Sequence, residues 1–341
     1  MSTTIKDVAL KAGVSIATVS LVINDNKRIS SETKKKVLRI IKQLDYHPSK
    51  SARDLASQKT GNIGFILTDD HFLRTEPFYT RIFLGTEFEA RDSNYYILLA
   101  TVLSNFNNKD SLPRFVLEHS VDGVIIAGKV PNFLIAKLVE YNIPLVFVDY
   151  KPEDQNFPVV LIDNIQGGVL ATEHLLNYGH EHIGFIGGDI LHPSIRDRLT
   201  GYNRALDSAG IKQNQKLVHV SSTYPDRQNG YDAAKELFTK NKNISAIFAC
   251  NDAMAIGAMH FLKDNGYKIP GDVSVIGFDD VEADLLLNPT LSTIRVPKFD
   301  LGSEALRLIK QSLVDPKVKT KIVLVPVELI VRESTKNIRK K

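Results

Sequence analysis

The chain reads as an α/β protein with a small helical unit at its N-terminus, and three observations predict this. Residues 4–57 show helical periodicity, first broken at Gly13. From Asn62 onward, short apolar runs alternate with amphipathic helical segments, the texture of buried parallel strands joined by helices. Charge divides along the same line. Residues 1–60 hold 12 Lys or Arg against 5 Asp or Glu, net +7, whereas the remainder holds 31 against 34, net −3.

In the first unit Ile5, Val8, Ala9 and Ala12 recur at helical spacing, Gly13 breaks the run, and a second helix begins after Ser15. Gly13 suits the left-handed turn and Ser15 suits an N-cap, so the segment predicts helix, tight turn, helix. At 100° per residue, Thr18, Val19, Val22 and Ile23 share a core arc, while Ile16, Ala17, Ser20 and Leu21 share the opposite one. In a helix-turn-helix unit the second helix offers its N-terminal residues to base edges, and the apolar ends of Ile16, Ala17 and Leu21 suit thymine methyls. The bland alternative is a small helical domain with a few exposed apolar residues. The basic excess favours phosphate contact. Ser30 or Ser31 caps a third helix with Val37, Ile40, Ile41 and Leu44 inward. Tyr46, His47 and Pro48 halt it, and residues 50–57 (KSARDLAS) make barely two further turns.

The runs at 63–67, 96–100, 122–128 and 144–149 predict strands, with helices near 82–90 and 133–141. The pattern then restarts at 159–163 and continues through 182–188, 216–222, 245–252 and 274–280. Two sets of similar length predict two similarly built subdomains. The tail 337–341 (NIRKK) is expected to fray. Composition is ordinary for a globular chain. Lys6, Asp7 and Lys11 interrupt any signal-peptide core, and Cys250 is the lone cysteine, so a cytoplasmic protein without disulfides or a thiolate metal site is expected.

Here a specific likeness appears. IKDVALKAGVSIATVSLVIN, followed by ISSETKKKVLRIIKQLDYHPSKSARDLAS, resembles the headpiece and hinge of the lac/gal repressor family of bacterial transcription regulators, and the likeness runs to about Ser334. The resemblance implies a helix-turn-helix headpiece over 1–60 with a hinge helix near 49–57. A core of doubly wound parallel sheets over 61–341 would follow, in two periplasmic-binding-protein-like lobes. It places the first lobe at 61–161 and 292–325, the second at 162–291 and 326–336, and three crossovers near 161, 292 and 325. It implies a homodimer on a pseudo-palindromic DNA operator, repressing carbohydrate-utilisation genes in response to a small effector. Thr4, Ser15, Ile16, Ala17, Thr18, Ser20, Leu21, Asn24 and Arg53 would meet DNA, and Leu55 with Ala56 would wedge into the minor groove. Many family members carry Arg where this chain has Leu21, so the operator sequence cannot be carried over from such relatives.

An enzyme finds no support in motif: there is no G-x-G-x-x-G, no phosphate loop and no G-x-S-x-G elbow. His174, His180 and His182 lack zinc-ligand company and are expected on the solvated surface. No cofactor is expected. Ligands of open α/β sheets sit beyond the carboxyl ends of the strands, where this chain places Asp69, Asp149, Asn251, Asp252 and Asp279. Capping is an equal reading for each acidic residue, and for Asp252 it is the favoured one. The resemblance adds Arg198 as an effector-gripping arginine, with Phe78, Tyr79, His192, Ser194 and Tyr224 around the cleft; Tyr224 in the core is the alternative. These types suit a sugar. His71, Arg74, His192, Arg196, Arg198 and Arg227 keep a sugar phosphate open. The resemblance also keeps open a phosphorylated carrier protein as corepressor, since some relatives use one and Asp300 and Arg307 recur in the region they use, KFDLGSEALRL (298–308). A solute-binding module is the other class of function, although it would have no use for the basic headpiece.

Overall fold

The computed structural model describes residues 3–23, 28–46, 59–72, 77–152, 156–315, 318 and 320–339. It divides into two compact units, Met1–Gly61 and Asn62–Lys341. Within the first, α1 (Ile5–Ala12), α2 (Ile16–Ile23) and α3 (Ser31–Gln43) enclose a small core of Val8, Ala9, Ala12, Val19, Val22, Val37, Ile40 and Tyr46. Each start is capped by a side chain. The backbone N–H and the hydroxyl of Thr4 both donate to Asp7, at 2.8 and 2.7 Å, Ser15 Oγ accepts from Thr18 N at 3.0 Å, and Ser30 Oγ accepts from Thr33 N at 3.2 Å. Gly13, at φ 64, closes α1 in the left-handed conformation.

The second unit opens with β1 (Asn62–Thr68), the single turn α4 (Asp69–Phe72), α5 (Phe78–Asp92) and β2 (Tyr96–Val102). It continues through α6 (Arg114–Leu117), β3 (Gly123–Ala127), α7 (Asn132–Glu140), β4 (Leu145–Val148) and β5 (Val159–Ile162). Next come α8 (Asn164–Asn177), β6 (Ile183–Gly187), α9 (Pro193–Ser208), β7 (Val218–Val220) and α10 (Arg227–Lys240). The remainder is β8 (Ala246–Ala249), α11 (Asp252–Asp264), β9 (Ser274–Asp279), β10 (Ser292–Arg295), α12 (Lys298–Ser312), β11 (Ile322–Val325) and β12 (Glu328–Ile330). Two six-stranded sheets result, ordered β11-β5-β4-β3-β1-β2 and β12-β10-β9-β8-β6-β7. Every pairing is parallel except that of β12 with β10. Among the described residues no helix is long and apolar enough to cross a membrane.

The chain passes between the lobes after β5, after β10 and between β11 and β12. Two details differ from expectation. The run at 159–163 does not restart the pattern; as β5 it pairs with β4 and β11 in the first sheet. Residues 292–295 lie in the second sheet, so the return to the first lobe follows Arg295 rather than beginning near 292. This strand, STIR, has no apolar run to betray it. Ser292 and Thr293 are fully buried because their hydroxyls are used: Thr293 donates to Asp252 at 2.6 Å and Ser292 accepts from Arg332 N at 2.9 Å.

α12 belongs to the first lobe, where it packs on α5 so closely that neither Gly85 nor Gly302 has room for a Cβ. Thr86 Oγ1 donates to Gly302 O at 3.1 Å and Ser303 Oγ to Gly85 O at 3.2 Å, pinning the two helices.

The C-terminal segment corrects two further expectations. His174 and His180 are buried, not solvated, because they clasp that segment: His174 Nε2 meets Thr335 Oγ1 at 2.9 Å, and His180 meets Ser245 Oγ at 3.1 Å and Lys336 O at 3.0 Å. His182 is exposed as expected. Residues 337–339 are tied down, Ile338 N donating to Tyr178 O at 2.8 Å; Lys340 and Lys341 lie outside the described residues. Burial, with His180 close by, pushes the His174 pKa down to about 4, and burial lowers that of His180. A depressed pKa means that unfolded chain takes up protons first, so this stability is complete above the ordinary value of 6.5 and lost as pH falls toward 4. The stability difference between wild type and His174→Gln, measured by urea denaturation, should therefore shrink by up to about 3 kcal/mol across that window. A pH-independent difference would rule out the clasp as the acid-sensitive element.

Candidate functional site

A cavity of about 640 Å³ lies between the lobes at the carboxyl ends of the strands. The first lobe lines it with Phe78, Tyr79, Lys129 and Asp149, and the second with Asp189, His192, Ser194, Arg198, Tyr224, Asn251 and Asp279, among others. Nine of the ten residues expected around an effector thus meet at one cavity. Asp69 does not, because the chain turns directly into α4 there. Of the basic constellation, His192, Arg198 and Arg227 line the cavity, and exposed Arg196 does not. Arg74 lies outside the described residues, and for His71 only the backbone is described. Sequence reasoning missed Lys129, Asp189, Asp226 and Gln228. Lys129 and Asp189 each sit two residues beyond a strand, so the strand-end rule that selected Asp149 could have found them.

Arg198, on α9, is the most constrained of these side chains. Its Nε donates to Asn164 Oδ1 at 2.8 Å, its Nη1 to Cys250 O at 2.6 Å, and its guanidinium stacks 3.7 Å from the Phe278 ring centroid. Nη2 has no hydrogen bond among the described residues, so a fixed cation retains donors for a ligand. Asp279 ends β9 opposite it, with Oδ1 3.7 Å from Nη1. That is too far for a hydrogen bond, and Oδ1 finds no other partner among the described residues. Burial raises the Asp279 pKa to about 7; Arg198 opposes the shift and Asp252 adds to it. From the first lobe, Asp149 accepts from Tyr79 OH at 2.9 Å.

The turn after β9 is held from beneath. Val281 N donates to Asp252 Oδ2 at 3.1 Å and to Asp284 Oδ2 at 3.0 Å, both carboxyls being fully buried. Burial, reinforced by the Asp252 charge, pushes Asp284 up to about 10, so it keeps its proton at neutral pH. Asp252 is therefore not the cap of α11. Asn251 is, accepting from Met254 N at 2.8 Å while its Nδ2 donates to Pro225 O at 2.8 Å. With both ends of its amide engaged, Asn251 positions the loop bearing Tyr224, which is 45% exposed at the mouth rather than in the core. A fixed guanidinium, acceptors short of donors and the Phe78 and Tyr224 rings can take hydroxyls in plane and an apolar face above.

The headpiece presents a different surface. Val19 and Val22 are buried, Thr18 and Ile23 are half-buried, and Ile16, Ala17 and Leu21 are exposed along one side of α2. Thr4, Ser15 and Thr18 are engaged in the caps, and Ser20 is half-buried. Asn24, Arg53, Leu55 and Ala56, with the expected hinge at 49–57, lie outside the described residues.

Residues 4–49 match the model of bacterial regulatory proteins of the lacI family, and residues 60–333 match that of periplasmic binding proteins and the sugar binding domain of the LacI family. The chain belongs to the lacI family. As a lacI-family protein it is a DNA-binding transcriptional regulator, and the two matched segments correspond to the basic helical unit and the two-lobed core. Among its relatives, the transcriptional regulator RegA of Clostridium saccharobutylicum is 35% identical over 98% of this chain and 100% of its own length. A complex of the transcriptional regulator CelR with cellobiose shares the fold at a TM-score of 0.72 and 30% identity, covering 97% of this chain and 99% of that one. The lac repressor dimer bound to operator and the anti-inducer ONPF gives 0.77 and 25%, covering 98% and 100%.

The raised pKa of Asp279 sets a test of the lacI-family cavity. Folded protein holds this proton to about pH 7 and unfolded chain only to the ordinary 3.8, so the carboxyl's contribution to stability declines as pH rises through that window. The stability advantage of wild type over Asp279→Asn should accordingly fall between pH 4 and 7, and a carboxyl-carbon NMR titration should place the midpoint near 7. A midpoint in the ordinary carboxylate range would refute the electrostatic description.

Proposed function

We propose that this regulator is a cytoplasmic repressor of carbohydrate-utilisation genes, binding a pseudo-palindromic operator as a homodimer and a neutral saccharide of one or two rings in its cavity. The observation that carries the ligand class is the buried Arg198 guanidinium facing Asp279, whose Oδ1 has no hydrogen-bond partner among the described residues. Hydroxyls satisfy both, and carboxylates lining a cavity are natural acceptors for them. The cavity matches the size range of small-molecule sites, and the cellobiose complex of CelR supports the same class.

A sugar phosphate fits less well. Lys129, Arg198 and Arg227 share the lining with Asp149, Asp189, Asp226 and Asp279, so a dianion would meet carboxylates on both walls. A solute-binding module is disfavoured by the headpiece at 4–49. On DNA, Ile16, Ala17 and Leu21 of α2 read base edges, with apolar rather than guanine-directed contacts at Leu21. Dimerisation is supported by apolar side chains left exposed on the first lobe, Tyr96 and Leu99 on the edge strand β2 and Phe88 on α5.

Calorimetry against cellobiose, ribose and glucose 6-phosphate should show binding of a neutral sugar and none of the phosphate. Arg198→Ala should lose about 2–5 kcal/mol of that affinity, while operator affinity without saccharide stays at the wild-type value. Preference for the phosphorylated sugar, or full affinity in the variant, would reject this assignment. A chain beginning at Asn62 should keep saccharide binding and lose DNA binding, and the full-length complex should weaken steeply with salt because the +7 excess lies in residues 1–60.

A further inference from the structure

We propose that Lys298 is the positioning residue through which a ligand seated on Asp279 in the second lobe is felt by the first lobe. This rests on the reading of the cavity as a saccharide site.

Lys298 is the first residue of α12, the helix locked to α5 in the first lobe by the Gly85 and Gly302 contacts. From there its ammonium reaches the second lobe, donating to the carbonyl of Asp279 and, at 3.2 Å, to that of Asp280. The same ammonium lies 5.7 Å from the Phe78 ring centroid. Phe78 and Asp279 both line the cavity, from opposite lobes. One side chain therefore meets both walls from behind.

The backbone it holds is under constraint. Asp279 has φ 122 and Asp280 φ 56, a region that costs energy for a residue with a Cβ and persists only where the surroundings impose it. Those surroundings are visible. The Asp280 carboxylate takes Arg295 Nε at 2.7 Å and also Arg332, residues that end β10 just ahead of one crossover and follow β12 just beyond another. Val281 N is anchored on Asp252 and Asp284. A turn gripped at each successive residue does not absorb a displacement of Asp279 locally; it passes the displacement to its carbonyls, and Lys298 holds them. An ion pair between the lobes, Arg81 with Glu282, is exposed and open to screening by salt. Lys298 is half-buried and donates to neutral carbonyls.

Coupling of this kind needs the ligand to favour one lobe arrangement over another. The pin supplies the difference, being made when the Asp279 turn and the start of α12 are in register and broken when the lobes shift.

Full-length wild type, Lys298→Met and Lys298→Arg are compared, with whichever of cellobiose and ribose the wild type binds as ligand probe. A duplex selected by wild type from a random pool is the DNA probe. Calorimetry reads saccharide affinity, fluorescence anisotropy reads duplex affinity with and without saccharide, and thermal midpoints confirm folding. The Met variant should bind saccharide within about threefold of wild type, yet show almost no change in duplex affinity on adding it, where a wild-type response of about 5- to 150-fold is expected. The Arg variant, which keeps a cationic donor, should recover most of the response. A wild-type response in Lys298→Met overturns the proposal, as does joint loss of saccharide binding and response, which would make Lys298 part of the cavity's framework alone. Failure of wild type to bind either saccharide overturns the reading of the cavity itself and this proposal with it.

Discussion

Charge buried at the carboxyl ends of the second sheet is the constraint on which the core of this protein depends. Arg198, Asp252 and Asp284 are buried and Asp279 is largely so, with Arg198 on α9 and the carboxyls after β8, at the end of β9 and in the turn that follows. Charges in such a place are costly unless each is paired, hydrogen-bonded or neutralised. All three solutions occur within one cluster. Arg198 is held by Asn164, the Cys250 carbonyl and the Phe278 ring, Asp252 accepts from Thr293 and Val281, and Asp284 keeps its proton. Asp279 is the member that faces the cavity, and its Oδ1 has no hydrogen-bond partner among the described residues.

That imbalance is what a binding site requires. A cluster satisfied entirely by its own partners would be more stable and would have nothing to offer a ligand; one left loose would have to be ordered when the ligand arrived. Here the cation is fixed in advance and the acceptor lines the cavity. Asn251 illustrates how far the support extends, since capping α11 and holding the loop at Pro225 occupy its whole amide. The same logic places strain where it is useful. Asp279 and Asp280 adopt positive φ at the junction of cavity and crossovers, and arginines, buried carboxyls and Lys298 hold them there.

The headpiece follows different physics. Its core is a handful of aliphatic side chains and Tyr46, its helices rely on caps, and its outward surface combines a positive charge excess with an apolar strip on α2. Positive charge draws it to any DNA, whereas an apolar strip discriminates only where methyl groups present themselves in the groove. Long-range attraction and local selectivity are thus carried by different residues of one small unit.

Much of this was legible in the residues alone. Gly13, Ser15 and the alternation of Val19 and Val22 with Ile16 and Leu21 define the helix-turn-helix, because helical period and capping chemistry are local properties. The apolar runs located most of the strands for the same reason, and of the ten residues to which strand-end polarity and family likeness pointed, nine line the cavity. What the chain could not disclose locally was partnership across distance. Strand β10 was invisible because its Ser and Thr are buried against Asp252 and the C-terminal segment, far away in sequence. His174 and His180 looked like surface until the tail folded over them. Asn251 rather than Asp252 caps α11 because the first lies within reach of Met254 N and the second within reach of Thr293 and Val281. Periodicity and caps are written in neighbouring residues; the burial of a polar group, and the partner that makes it tolerable, are decided only when distant strands come together.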